Sequence, residues 1–333
     1  MQRFLCTHCG RKFSAATFSA TYWLKRPELL AKIADLSVQG AGLRQIGRVL
    51  GIPHSTVALQ LARAGRHCLL FHRRLIQSHT LTEPLVFDGF ETFEYSQYFP
   101  FHMNLAAGSG SWFLYHFTDS PLRRKGSMRA VQKRRREELE ATLGRPDPKA
   151  VENGIVQLLQ PLLPLVPKGP KLPPLVAHSD DHPAYPRALR RLRALPGCPK
   201  IEHQVTSSLV RRTQSNPLFP VNLADLLLRH SSANHRRETI AFSKRRQAAL
   251  ERLAVFTVWR NCIKWKREKK PGETAAMEIG LLERALSWRE VFRRRLFPHR
   301  SDLPAPWWTY YWRRVKTPAL GRHQHRHSLR FAF

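Results

Sequence analysis

Apolar positions along the chain follow two spacings, one typical of strands and the other typical of helices. The run from Leu85 to Glu94 is apolar, β-branched and aromatic, which predicts a strand with Asp88 at its centre. The segment from Tyr98 to Phe117 predicts two more strands, joined at the turn Gly108-Ser109-Gly110. Because an unpaired buried charge is costly, a carboxylate inside the first strand of this meander indicates a nearby cation.

A second carboxylate follows a later strand. After a helix from about Pro148 to Leu163 and a Pro- and Lys-rich stretch, the run L-V-A-H-S-D-D-H predicts a strand that ends at Asp180 and Asp181. Ligands of α/β sheets bind at the carboxyl ends of strands, and Asp180 is the better candidate because it is nearer to the strand. Asp181 could instead cap the helix Pro183 to Leu192, and a further strand runs from Ile201 to Val210.

A third carboxylate belongs to a long helix predicted from Asn234 to about Lys266. Glu238 shares a stripe at helical spacing with apolar residues, among them Phe242 and Leu253. The helix macrodipole also favours a Glu near a helix N-terminus, but it does not explain why Glu238 continues the apolar face. We therefore expect Glu238 to face the sheet, with Lys244 and Arg245 as neighbouring DNA-binding cations.

Before the meander, three short apolar patterns predict helices. Residues 27–36 and 42–50 each place apolar side chains on one face, Gly51-Ile52-Pro53 is a turn, and a third helix runs from His54 to about Ala64. This order is typical of a helix-turn-helix motif, in which Ser55, Gln60 and Arg63 would point into a major groove. An ordinary helical hairpin is the alternative.

The chain begins with C-T-H-C-G-R-K-F, which contains Cys6 and Cys9. Two thiolates on a tight turn followed by Gly are half of a zinc ribbon, but structural zinc needs four ligands and no second C-x-x-C follows. Two buried thiols in a small turn would give the same pattern.

The charge balance makes nucleic acid the first candidate partner. Lys and Arg number 56 against 24 Asp and Glu, a net charge of +32, and a chain this basic repels itself unless a polyanion neutralises it. An anionic membrane surface is the second candidate, but there is neither a signal peptide pattern nor an apolar run of ~18 residues, so we expect no membrane partner. We expect a cytoplasmic, nucleoid-associated protein with reduced thiols.

Two other segments add to this charge. Residues 122–147 form a basic insert whose run K-R-R-R-E-E predicts a solvated helix, which could also follow a phosphate backbone. Residues 269–333 are basic and aromatic, with Trp307, Trp308, Tyr310, Tyr311 and Trp312 close together. Stacking on bases is one interpretation of these aromatics, and docking onto the protein core is the favoured one.

Asp88, Asp180 and Glu238 together predict a divalent-metal site. The order of meander, helix, strand, helix, strand and long helix is that of a ribonuclease-H-like α/β domain, whose sheet brings three such acids to one edge. Two Mg²⁺ (or Mn²⁺) ions about 4 Å apart would offset their charge and support in-line phosphoryl transfer on nucleic acid.

These segments resemble bacterial insertion-sequence transposases of the DDE type over roughly residues 1 to 300. The resemblance rests on C-T-H-C-G-R-K-F-S, L-R-Q-I-G-R-V-L-G-I-P-H-S-T-V, F-D-G-F-E-T-F, H-S-D-D-H-P-A-Y and N-H-R-R-E-T-I-A-F-S-K-R. It implies Asp88, Asp180 and Glu238 as the catalytic, metal-binding triad, and a homo-oligomer on the element's ends and target DNA. The insert before the last motif keeps Asp225, Glu202 and Glu251 as alternatives to Glu238.

The resemblance also implies a division into domains. We expect a partial zinc ribbon at 1–25, a helix-turn-helix region at 26–80, and a ribonuclease-H-like catalytic domain at 81–268 with a linker at 211–232. The basic aromatic extension follows at 269–333. The alternatives to a transposase are a non-catalytic DNA-binding protein derived from one and a structure-specific nuclease with the same metal chemistry.

Overall fold

The computed structural model describes residues 2–14, 16–169, 172–236 and 239–320, and its largest sheet has five strands. The strands of this sheet are β3 (Leu85–Phe93), β4 (Pro100–Gly108), β5 (Leu114–Pro121), β6 (Leu175–Ser179) and β7 (Ile201–Val205). Their order across the sheet is β5-β4-β3-β6-β7. The meander β3–β5 is antiparallel, whereas β6 and β7 run parallel to β3. The predicted meander and the strand before Asp180 are confirmed.

Helices flank this sheet, which makes the chain a mixed α/β protein. Helix α5 packs against β4, β5 and α6, while α7 packs against β3 and β4 and α3 packs along α8. The described helices are α1 (Leu29–Val38), α2 (Leu43–Leu50), α3 (His54–Ile76), α4 (Ala130–Leu143), α5 (Ala150–Leu159), α6 (Ala184–Arg193), α7 (Phe219–Ser231), α8 (Arg246–Val258), α9 (Ala275–Glu278), α10 (Trp288–Arg293) and α11 (Ala305–Tyr311).

Two small antiparallel hairpins complete the described strands. The first pairs β1 (Arg3–Leu5) with β2 (Lys12–Ser14), and the second pairs β8 (Trp265–Arg267) with β9 (Lys270–Thr274).

The predicted helix-turn-helix elements form, but the third helix is much longer than expected. The turn after α2 contains Gly51 at φ +63, a left-handed conformation that suits glycine. Leu29, Ile33, Ile46, Val57 and Leu61 form a small apolar cluster between α1, α2 and the start of α3. Helix α3 then continues to Ile76, and its second half joins the main core beside the sheet.

Two expectations in the C-terminal half of the chain are wrong. The predicted linker at 211–232 contains α7, a helix of 13 residues. The helix expected from Asn234 begins only at Arg246, because the described residues before it form turns closed by side chains, including a 3.2 Å hydrogen bond from Asn234 Nδ2 to Ser243 Oγ. The Glu94 carboxylate, 2.9 Å from the Arg246 amide nitrogen, accepts the first free N–H of α8 and fixes where that helix starts.

The C-terminal aromatics dock onto the core, as favoured from the sequence. Trp307, Tyr310 and Tyr311 are buried, and the Trp307 indole N–H donates to the Phe117 carbonyl at 2.9 Å. Trp308, by contrast, is 39% exposed.

Candidate active site

A crevice opens between β3 and β6 at the carboxyl end of β6. The two strands pair only at Leu85 with Ala177 and at Val86 with His178, and β3 then continues for several residues without β6 beside it. The chain builds the sheet in one direction from β3 and in the other from β6, so this is the point where the strand order reverses. Crevices of this kind are where open α/β sheets bind their ligands.

Asp88 lies at the mouth of this crevice, two residues beyond the last pair with β6. Its Oδ1 atom accepts hydrogen bonds from the Gly89 amide at 2.7 Å and from the Tyr185 hydroxyl at 3.0 Å. Burial, and after it the neighbouring negative charge of Asp180, raise the pKa of Asp88 to about 6. The site therefore holds Asp88 as a carboxylate at an electrostatic cost.

Asp180 follows the last residue of β6 and lies close enough to Asp88 to repel it. Its Oδ1 atom accepts the His182 amide hydrogen at 2.9 Å, which turns the chain towards α6. Asp181 has a different role, because its Oδ2 atom accepts from the amide and the hydroxyl of Ser208, both at 3.3 Å. The expectation that Asp181 caps the helix is wrong, since it holds the loop after β7 instead.

Asp225, on α7, is the third carboxylate of this region. Burial raises its pKa well above the usual range, and the charge of Asp88 adds to this effect, while Arg229 and Arg212 oppose it. Its Oδ1 atom is buried and has no hydrogen-bond partner in the described part of the chain. Burying a polar oxygen without a partner costs about 2–7 kcal/mol of folding free energy, unless a cation or a hydrogen-bond donor reaches it.

The other candidates for the third acid have different surroundings. Glu238, the residue expected in this position, lies outside the described residues. Glu251 is buried beside α3, where Gln247 donates to it at 3.1 Å and Arg313 pairs with it at 2.9 Å. Glu202 is exposed and is the second residue of β7, so it lies away from that strand's carboxyl end.

The donor chemistry of the three described acids suits a hard divalent cation. Mg²⁺ prefers carboxylate oxygens, and both the raised pKa of Asp88 and the unpartnered oxygen of Asp225 mark negative charge that lacks compensation. The acids act on one another in two pairs, Asp88 with Asp180 and Asp88 with Asp225. Within the described ranges, no three His, Cys, Asp or Glu side chains gather closely enough to hold one ion.

Two residues at the crevice were not singled out from the sequence. Tyr185, in the first turn of α6, is buried against Phe87 and His182 and donates its hydroxyl to Asp88. Arg212, on the exposed loop before α7, has a positive charge that lowers the pKa of both Asp88 and Asp225. Neither has a local sequence signal, because Tyr185 contacts Asp88 from 97 residues along the chain and Arg212 reaches the site from a loop.

The expected DNA-binding side chains have mixed outcomes. Ser55 is exposed at the start of α3, but Gln60 is 5% and Arg63 is 9% exposed, so the expectation that these two point outward is wrong. The reason is that α3 runs into the core, where Arg63 Nη1 donates to the carbonyls of Ala20 at 3.1 Å and Tyr22 at 2.6 Å.

Lys244 and Arg245 lie in the turn segment before α8 rather than on a helix. Lys244 is exposed, with its Nζ atom 4.0 Å from the Phe242 ring centroid, and Arg245 is the N-cap residue of α8. Their contact with DNA stays a prediction.

Cys6 and Cys9 flank the tight turn between β1 and β2. Gly10 has φ +65, and its amide donates to the Cys6 carbonyl at 2.8 Å, which closes the turn. Hydrogen bonds from the Cys9 backbone, the Cys9 side chain and the His8 backbone lower the pKa of the Cys6 thiol. This turn favours a thiolate at Cys6, and zinc binding stays a prediction.

The described helices include none that is both long enough and apolar enough to span a bilayer. No protein-family model matches the chain.

Proposed function

We propose that this protein is a DNA transposase of the DDE type, which binds the ends of a mobile element and cuts and joins DNA strands. The observation that carries the proposal is the crevice between β3 and β6, where Asp88 interacts with the carboxyl groups of Asp180 and Asp225 in a chain of net charge +32. An acidic crevice in so basic a protein is suited to divalent cations that face a phosphodiester.

The order of elements supports a ribonuclease-H-like domain for this chemistry. An antiparallel meander, a helix, a parallel strand, a helix and another parallel strand follow one another, and the first strand is central in the sheet. The two aspartates at the strands, Asp88 and Asp180, fall at the point where such sheets bind their ligands.

Asp88 and Asp180 would hold Mg²⁺ or Mn²⁺ together with a third acid, for which Asp225 and Glu238 are the two candidates. When bound, the metal supplies Lewis-acid activation of the attacking oxygen and stabilisation of the leaving oxygen. Tyr185 orients Asp88 through its 3.0 Å hydrogen bond, and Arg212 contributes a positive charge that acts on Asp88.

The test is cleavage of a DNA duplex that carries the element's own ends, with Mg²⁺ or Mn²⁺. We expect Asp88→Asn and Asp180→Asn each to lower the rate by a factor of at least ~10³, about 4 kcal/mol of transition-state stabilisation. Asp181→Asn is the matched control, because it removes the same charge one residue away from Asp180, from a carboxylate that accepts hydrogen bonds from Ser208.

The third acid is assigned by comparing Asp225→Asn with Glu238→Gln in the same assay. Loss of cleavage with only one of them identifies that residue, with Glu202→Gln as a control. Joining of the cut ends to a second duplex separates a transposase from a structure-specific nuclease. Tight binding without cleavage by wild-type protein contradicts the proposal and favours a non-catalytic DNA-binding protein.

A further inference from the structure

Helix α4 (Ala130–Leu143) stands apart from every other helix of its length in this protein. None of its 14 residues is buried. It is the central part of the segment that connects β5 to α5. A helix without a buried face is not stabilised by packing into the core, so its side chains are available to contact a partner molecule.

The acidic residues of this segment are already neutralised within it. Glu140 pairs with Arg123 at 2.7 Å, Arg145 at 2.9 Å and Arg136 at 3.5 Å. Glu138 pairs with Arg135 at 2.9 Å and Glu137 with Arg136 at 3.6 Å. These pairs tie the C-terminal half of α4 to the segment that precedes it.

The basic residues at the other end of the segment have no such partners. Lys125, Arg129, Lys133 and Arg134 are all exposed, and none of them forms an ion pair with a carboxylate that the structure describes. We call these four residues the basic end of α4. They concentrate four positive charges in ten residues of chain.

The order of basic and acidic residues along α4 does not stabilise the helix. The first turn has no acidic residue and the last turn has no basic residue, which is the reverse of the order that the helix macrodipole favours. Pairs with the basic residue N-terminal to the acidic one are also the weaker arrangement at i,i+4. The position of these cations therefore has to be explained by something outside the helix.

The basic end lies near the candidate active site. The ring of His182, which is two residues after Asp180, lies 6.3 Å from the ring of His102 on β4, the strand that follows the β3–β4 connection. The neighbouring Arg124 donates to the Gln97 carbonyl at 3.3 Å and lies over the Tyr98 ring at 5.3 Å, which fixes the start of the segment beside the β3–β4 connection.

We propose that the basic end of α4 binds the phosphate backbone of the DNA duplex beside the strand that is cut. This inference rests on the proposed function, because it takes the crevice at Asp88 and Asp180 as the cutting site. Arg129, the N-cap residue of α4, and Lys133, in its first turn, are four residues apart, about 6 Å along the helix axis, a distance comparable with two steps of ~3.4 Å in one DNA strand. The contact reads no bases, so it adds affinity without sequence preference.

The test measures how binding of a fluorescein-labelled DNA duplex by the full chain depends on salt, with chelator and without metal. The variant Arg129→Gln, Lys133→Gln, Arg134→Gln removes three charges and keeps good helix formers. Each lost phosphate contact removes ~0.9 from the slope of log K against log salt, so we expect the slope of the variant to be smaller by about 2–3. We expect the Kd of the variant to be at least ~10-fold higher than that of wild type at about 50 to 200 mM KCl.

The matched control is Lys168→Gln, Arg190→Gln, Lys200→Gln, which removes the same charge. Lys200 immediately precedes β7 and Arg190 lies in the last turn of α6, so these residues belong to the opposite end of the sheet from Asp180. We expect this control to change the slope by less than ~1. Circular dichroism of both variants checks that helix content is retained.

Equal slopes for wild type and the α4 variant, or equal losses in the variant and its control, would overturn the inference. This assay needs no cleavage, so it is independent of the metal chemistry. If the α4 variant loses its slope while Asp88→Asn leaves cleavage intact, the DNA surface stands and the proposed active site fails.

Discussion

Single side chains at the crevice set up an electrostatic conflict that the folded protein tolerates. Asp88 is largely buried, repelled by Asp180, and hydrogen-bonded to Tyr185 and Gly89. The two hydrogen bonds favour the carboxylate, but burial outweighs them and leaves its pKa at about 6. A carboxylate that lowers the stability of the folded protein is better explained by a role in binding or catalysis than by a role in packing.

This conflict predicts the stability of Asp88→Asn. The pKa of Asp88 rises from 3.8 to about 6 on folding, so the folded protein keeps a proton that the unfolded chain releases between these values. The stabilisation is therefore present at low pH and is lost as pH rises to about 6. At pH 7.5 with chelator, we expect Asp88→Asn to raise the free energy of unfolding by up to ~3 kcal/mol.

Urea unfolding of wild type and Asp88→Asn at pH 7.5 measures this gain, with Asp181→Asn as the control of equal charge. We also expect Mg²⁺ to raise the Tm of wild type more than that of Asp88→Asn, because bound cation offsets the same repulsion. A variant less stable than wild type would contradict this account of the site.

Sequence patterns located Asp88 and Asp180 because each is tied to one strand with a clear apolar run. They gave Asp225 only as one of three alternatives to Glu238, although Val221, Ala224 and Leu228 around it are spaced as on a helix and are buried in α7. The inward turn of Arg63 was beyond sequence reasoning, because it depends on carbonyls about forty residues away, at Ala20 and Tyr22.

Among the secondary-structure elements, the packing of α3 against α8 depends on one residue, Gly65. An added Cβ at Gly65 would lie 2.4 Å from the Glu251 carbonyl oxygen and 2.8 Å from its Cα atom. Both are backbone atoms of α8, so they can move only if the helix moves. At Gly65 the backbone of α8 therefore lies directly against α3, with no room for a side chain.

We expect Gly65→Ala to lower the free energy of unfolding by at least ~1–3 kcal/mol, the usual cost of overpacking, despite the better helix propensity of alanine. Denaturant unfolding of the metal-free protein measures it. Ser55→Ala, at an exposed position of the same helix, should change stability by less than ~0.5 kcal/mol. Comparable stability of Gly65→Ala and wild type would show that α8 is not held against α3 as described.

The start of α8 shows why helix boundaries could not be read from periodicity here. The stripe through Glu238 and Phe242 continues that of α8, yet Phe242 instead packs against Phe93 with ring centroids 4.9 Å apart. The first residue of α8 is set by Glu94, which accepts the Arg246 amide hydrogen from about 150 residues earlier in the chain. A local pattern carries no information about such a distant partner.

Across the whole molecule, several buried histidines are held neutral. Burial lowers the pKa of His67, His72 and His102 to about 4, and that of His116 falls well below its usual value. The His116 ring packs on Trp307 with centroids 4.5 Å apart, and its Nε2 atom is buried with no hydrogen-bond partner in the described structure.

These groups predict a loss of stability in mild acid. Below their ordinary pKa of 6.5 the unfolded chain takes up protons that the folded protein does not, so stability falls as pH drops from about 6.5 to about 4. We expect the Tm to fall steeply between pH 7 and pH 5. His116→Phe should retain more of its stability at pH 5 than wild type, and His54→Gln, at an exposed position, should behave like wild type.

The exposed first turn of α3 and its buried remainder form one continuous helix, which restricts how the exposed turn can bind DNA. From Ser55 to His72 the helix spans about 26 Å, the length of roughly seven or eight base pairs. Residues 60–72 of this helix are buried all round, so its tip cannot swing independently. Under the proposed function, DNA bound at this tip would be held in one orientation relative to the core, and one residue inserted before Val57 would rotate the tip by ~100°.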